Sequence, residues 1–261
     1  TKVNVSRNAL TAVTFDGCAA LNRIDAQRNK IKEVNFNGCK GLQTLNIYKN
    51  RLTEISLDGM PLLETVNISN NYLVALDVAN SSTLKTLNCQ GNHLETLKVE
   101  YCTNLKNLYC GYNKLTGLTL VGVDNLQNLN VDDNEISQLI VSNLPALSTF
   151  ICSDNNMQSL AMRQCPVLLD LVCSYNNLTS LTVSDCPQLL FVDCSYNDLT
   201  QLTLSNQTFL QRLLCNNNQL TMLDVSFDQA LTYINCRYNM ITDLRTVGDN
   251  SLSMVACQWN Y

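Results

Sequence analysis

The sequence predicts a solenoid that is mostly β, with parallel sheets, short turns, little or no helix and weak curvature. Three observations predict it. Asparagine recurs every 21 residues, at Asn8, Asn29, Asn50, Asn71, Asn92, Asn113, Asn134, Asn155, Asn176, Asn197, Asn218, Asn239 and Asn260, without an insertion or deletion. Thirteen residues after each of the first twelve stands a leucine, from Leu21 to Leu252. Between them, apolar residues alternate with others over stretches too short for a helical period. The repeat is L-x-x-L-x-C-x-x-N-x-L-x-x-L-x-L-x-x-C-x-x.

The first element of each coil is a short strand, because L-x-L-x-C alternation turns its apolar members to one side. Stacked coils make these strands a parallel sheet. The first bend follows, and an inward Asn there satisfies backbone donors and acceptors together, so the asparagines, Asn92 to Asn239 among them, are expected to form a structural ladder. The second half carries the same alternation, as in Leu181 with Val183 and Leu202 with Leu204, which predicts strand-like structure on the opposite side. The second bend falls nine residues after each Asn, where Gly17, Gly38, Gly59, Asn80, Gly122, Asn143, Asp185, Asn206 and Gly248 suit positive φ. Pro61, Pro145, Pro166 and Pro187 fall two residues further on, where no ladder donor is required. The expected shape is a flattened, gently curved rod. One coil cannot bury its own leucines, so at least ~3 must stack.

The segment Leu189 to Leu199, LLFVDCSYNDL, resembles the conserved segment of leucine-rich repeats. The nested second half resembles the 21-residue IRREKO class of bacterial leucine-rich repeats, and the strings LDVS, LTSL and CSYN are similar to those of Bacteroidetes proteins. The likeness covers the whole chain. It implies a right-handed leucine-rich repeat solenoid with a binding role, and supplies no catalytic residues. Residues 1–261 are expected to be one such domain of about twelve coils. Thr1 and Tyr261 read as cuts, so the domain is expected to be excised from a longer chain. By the same likeness it is expected to be exported, at the cell surface or in the periplasm.

The thirteen cysteines keep the register. Cys89, Cys110, Cys152, Cys173, Cys194, Cys215, Cys236 and Cys257 stand three before an Asn; Cys18, Cys39, Cys102, Cys165 and Cys186 stand ten after one. Ile47, Ile68, Val131 and Met60 share these columns, so the positions ask for modest apolar bulk, and every thiol is expected inside and mostly unpaired. No C-x-x-C occurs and His93 is the only histidine, so neither a metal nor another cofactor is expected. Asp132, Asp133 and Glu135 lack the spaced ligands of a calcium loop. The net charge of −5 disfavours nucleic acid. No apolar run is long enough to insert in a membrane.

Outward columns of the first strand change along the chain. Four before the Asn, polar Asn4, Asp25, Asn46, Asn67 and Asn88 give way to Tyr109, Ile151, Val172 and Leu214. One before it, Arg7, Arg28 and Lys49 give way to Tyr112, Tyr175, Tyr196, Tyr238 and Trp259. Six before it stand Phe191, Arg212 and Tyr233, with Asp170 and Asp193 as acceptors among them. Tyr, Trp and Arg carry binding energy at protein contacts, so Tyr109, Tyr112, Ile151, Val172, Tyr175, Phe191, Asp193, Tyr196, Arg212, Leu214, Tyr233 and Tyr238 are the candidate binding residues. Flat packing of each tyrosine on the next coil is the rival reading. A basic stripe, Arg7, Arg23, Arg28, Lys49 and Arg51, offers a contact for an anion or an acidic protein. A protein ligand is expected, with a glycan as the alternative, since aromatic faces beside Asp and Asn also suit sugar rings. An enzyme is not expected: no G-x-S-x-G, phosphate loop or general-base pair stands outside the repeat columns.

Overall fold

The computed structural model describes residues 1–204, 207–226, 228–246 and 251–260. Every regular element among them is a strand. The chain divides into two units, Thr1–Leu126 and Gln127–Tyr261. Two of the second-bend positions, Asn206 and Gly248, lie outside the described residues.

In the first unit, Lys2–Asn4, Arg23–Asp25, Thr44–Asn46, Thr65–Asn67, Thr86–Asn88 and Asn107–Tyr109 form one parallel sheet. Its register is a displacement of one repeat, as in Leu45 opposite Val66. The middle residue of each strand points inward; Ile24, Leu45, Val66, Leu87 and Leu108 are fully buried. On the opposite side, Ala12–Thr14 pairs with Glu33–Asn35, and Ala75–Asp77 with Thr96–Lys98. In the second unit the first-side sheet runs through Asn128–Asn130, Thr149–Ile151, Asp170–Val172, Phe191–Asp193, Arg212–Leu214, Tyr233–Asn235 and Met254–Ala256. Its other side holds a four-stranded sheet, Val141–Ser142, Ser159–Arg163, Ser180–Ser184 and Thr203–Leu204, and the pair Met222–Asp224 with Asp243–Arg245. Both units are thus parallel β-solenoids whose period is the sequence repeat. The second side is less regular than its alternation predicts: residues 54–57 and 117–120 form no strand. At the latter, Gly117 offers no side chain to pack and weakens an extended segment.

The ladder asparagines tie each coil to the one before it. Asn50 donates from Nδ2 to Ala26 O of the preceding coil at 3.0 Å and to Ile47 O at 2.9 Å, while Oδ1 accepts from Ile31 N at 3.0 Å. In the second unit Asn176 donates to Cys152 O, Cys173 O and Ser174 O, at 3.0, 3.3 and 3.3 Å, and accepts from Met157 N at 3.1 Å. One amide therefore serves four backbone groups at a buried bend, which a hydroxyl or a carboxylate could not do.

All thirteen cysteines are free thiols, and eleven are buried. Cys18 and Cys257 correct the expectation that every thiol lies inside, since both are exposed. They belong to the outermost described coils, each of which has one neighbouring coil among the described residues.

Close stacking also constrains glycine. A Cβ placed on Gly41 would lie 2.5 Å from Ala19 O in the preceding coil, so the two backbones approach as near as only glycine permits. Gly41→Ala is expected to cost about 1–3 kcal/mol, the range for overpacking. A urea titration with an unchanged midpoint would show that the coils tolerate a wider spacing.

Candidate binding face

On each first-side strand the residues flanking the buried middle one point outward, and the bend after it sets what lies at the sheet edge. The residue directly before every described ladder Asn has positive φ, including Arg7, Lys49, Tyr112, Tyr175, Tyr196, Tyr238 and Trp259. The strand must turn sharply for the Asn to point inward, and a left-handed residue makes that turn. Asn, Asp and Gly suit the conformation, as at Asn70, Gly91, Asp154 and Asn217. An aromatic residue there costs roughly 1 kcal/mol more. The mixture of Asn, Gly and Asp with Tyr in this column is the sequence signal for the conformation.

In the second unit this column projects tyrosines from the edge. Tyr175 and Tyr196 stack with ring centroids 4.3 Å apart and planes 8° apart. Each still exposes about half its surface, 51% and 43%. Tyr238 stacks on Trp259 at 6.0 Å and 3°. A stack of this kind is worth about 0.5–1.5 kcal/mol, comparable with the left-handed backbone it requires.

The next outward column is Asp170, Phe191, Arg212 and Tyr233, paired in register across successive strands. Arg212 is exposed, and its guanidinium lies between two rings, 5.3 Å from the Phe191 centroid and 5.7 Å from that of Tyr233. The two rings hold the cation in one orientation with its donors free of any carboxylate among the described residues. Burial raises the pKa of Asp170, which stands opposite Phe191 in the same column.

The third column, Ile151, Val172, Asp193 and Leu214, is also continuous in register. Here the structure corrects two readings. Ile151, Val172 and Leu214 face outward but are half-buried between their neighbours, so they form a low apolar floor rather than bare projections. Asp193 is half engaged as an acceptor. Its Oδ1 takes hydrogen bonds from Ser195 N at 3.0 Å and Ser195 Oγ at 2.6 Å, closing an Asx turn. Asn4, Asn67 and Asn88 do the same in the first unit, accepting from Ser6, Ser69 and Gln90. The sequence pattern presented these polar residues as surface; their first task is to hold the bend. Tyr109, Ile151, Val172 and Leu214 have no side-chain acceptor for that bond, so their coils give up an interaction that other coils make at the same position.

Tyr109 and Tyr112 lie in the first unit. Tyr109 is half-buried at the end of its strand, and Tyr112 is exposed at φ 55°. The basic stripe is also smaller than its sequence suggests: Arg23 is neutralised by Asp25, with Nε to Oδ2 at 2.6 Å and Nη2 to Oδ1 at 2.8 Å. Among the described residues, no three His, Cys, Asp or Glu side chains are grouped to hold a metal ion, and no helix is long and apolar enough to cross a membrane.

No protein-family model matches the chain, and no curated protein does. Solved structures do. The functional domain of InlJ from Listeria monocytogenes, which includes a cysteine ladder, is similar with a TM-score of 0.74 and 28% identity over 94% of this chain and 50% of that one. This chain thus spans half the length of its InlJ counterpart. YopM, a leucine-rich effector protein from Yersinia pestis, matches with a TM-score of 0.79 and 24% identity over 94% of this chain and 68% of that one. A leucine-rich repeat protein of Leptospira interrogans matches with a TM-score of 0.77 and 21% identity over 93% and 67%. With its 21-residue parallel coils, this chain has the fold of the leucine-rich repeat solenoids.

Proposed function

We propose that the chain is a non-enzymatic protein-recognition module whose binding face is the first-side edge of the second unit. The observation that carries this reading is the Tyr175–Tyr196 stack: two aromatic rings held on left-handed backbone, half-exposed, where Asn or Gly would fold more easily. Strain retained at a surface position is a mark of use. Arg212, held between Phe191 and Tyr233, adds an oriented cation beside the half-buried floor of Val172 and Leu214. Aromatic residues and arginine around an apolar centre are the composition of protein hot spots. Protein recognition is also the general use of the fold. The nested 21-residue pattern supports placement in the IRREKO class, and the bacterial origin of InlJ, YopM and the Leptospira protein supports export to a bacterial surface or periplasm. Fractionation of the source cells tests the latter; recovery in the cytoplasm alone would refute it.

The recognition face is tested with Tyr175→Asn/Tyr196→Asn, because Asn occupies the same column at Asn70 and Asn217. The melting temperature is expected to hold, while affinity for proteins retained by the wild type falls at least about thirtyfold, some 2 kcal/mol. Retention of the same proteins by both forms would refute the assignment.

A further inference from the structure

Residues 1–51 carry nine Lys and Arg against three Asp and Glu, whereas residues 52–261 carry eight against nineteen. A chain of net charge −5 therefore contains a concentrated basic block. Within it Arg7, Arg28 and Lys49 stand directly before Asn8, Asn29 and Asn50 in three successive coils, all exposed. Neighbouring strands lie ~4.8 Å apart, so three like charges are lined up over about 10 Å. None has a carboxylate partner among the described residues, in contrast to Arg23. All three hold left-handed backbone, at φ 57°, 58° and 54°, in the column that Asn70 and Gly91 fill with less strain.

The middle cation is also oriented. Arg28 donates from Nε to Tyr48 Oη at 3.0 Å, and its guanidinium lies 5.8 Å from the Tyr48 ring. That hydrogen bond, followed by the charges of Arg28, Lys49 and Arg7, lowers the pKa of the Tyr48 phenol, so the three charges converge on one patch. Backbone strain and mutual repulsion are both retained here with no intramolecular anion to offset them.

We infer that the Arg7–Arg28–Lys49 row is a second recognition site, separate from the tyrosine face, which takes a short acidic segment of a protein through its carboxylates. Two guanidinium forks and an ammonium suit successive carboxylates. Duplex nucleic acid or an anionic membrane would extend its charge over residues 52–126 of the same unit, four basic against seven acidic, and be repelled. A segment with three or four carboxylates ends within the row.

Fluorescein-labelled hexaglutamate, titrated into the full chain by anisotropy, tests this. Binding is expected at low salt and should weaken at least about tenfold at 300 mM salt. Arg28→Asn/Lys49→Asn is expected to weaken it about tenfold or more, with a melting temperature equal to or above the wild type, because strain and repulsion are relieved. Lys32→Asn/Lys40→Asn removes the same charge from exposed positions elsewhere in the block. That variant and Tyr175→Asn/Tyr196→Asn should leave binding within about twofold. Equal loss in the Lys32/Lys40 variant would reduce the site to a diffuse field and overturn the inference. So would loss in the tyrosine variant, or capture of heparin or phosphatidylserine vesicles, but not hexaglutamate, by the row.

Discussion

Raising the pH from 8.5 to 11 under reducing conditions is expected to lower the urea midpoint steeply, and to unfold the protein where neutral pH leaves it folded. Burial is the cause. It pushes the Cys89 thiol up to about 12 and Cys236 to about 11, and raises Cys152, Cys173, Cys194 and Cys215 in the same direction. An unfolded cysteine loses its proton near ~8.5. Above that pH the folded chain keeps protons that the unfolded chain has released, so stability falls as pH rises. Each thiol contributes about 1.4 kcal/mol per pH unit until its folded pKa is reached. The contribution is intact below about pH 8.5 and is lost toward about 12 for Cys89. Six thiols shifted in the same direction make the loss cumulative. Cys173→Val should reduce the slope by one thiol's share. A midpoint constant from pH 8.5 to 10 would contradict the burial of these side chains.

Asn176→Ala is expected to cost about 3–5 kcal/mol, while Asn8→Ala costs under about 1. Asn176 serves two coils with three donated bonds and one accepted, inside the stack. Removing it strands the buried Met157 N–H, at about 1–3 kcal/mol for a group left without water, and takes one donor each from Cys152 O, Cys173 O and Ser174 O, which keep those of Asn155, Asn197 and Asp154. Asn8 is exposed and donates only to Val5 O and Ser6 O of its own coil, both at 3.1 Å. Asn176→Asp should be at least as damaging as alanine, because a carboxylate cannot donate to the carbonyls and brings a charge inside. In a solenoid the loss is local, so hydrogen exchange should report it first in residues 171–179. Equal effects at Asn8 and Asn176 would show that the ladder does not bind coil to coil.

Much of the fold was legible because the register is rigid. A side chain's place in the 21-residue period fixes whether it faces in, and Leu42, Leu84 and Leu168 are buried as their column requires. The site was legible only in part. Sequence shows that Tyr175 and Tyr196 share a column, and from one strand spacing their stacking follows. It does not show that Asp193 Oδ1 is taken by Ser195, since the same pattern fits a carboxylate with both oxygens open. Nor does it show how far Val172 and Leu214 are covered, which depends on the sizes of their neighbours on adjacent strands. The exposure of Cys18 and Cys257 is not encoded in the period, which describes a coil with neighbours on both sides.

Thiol footprinting tests the central claim, that a coil closing every 21 residues hides one set of columns and displays another. The native protein is treated with iodoacetamide at pH 7.5 and each cysteine is scored by mass spectrometry, before and after unfolding in urea. Cys18 and Cys257 should react at once, and the other eleven only on unfolding. Labelling of Cys152, Cys173 or Cys194 in the native state at the rate of Cys18 would contradict the register, and with it the surface assigned to the tyrosines.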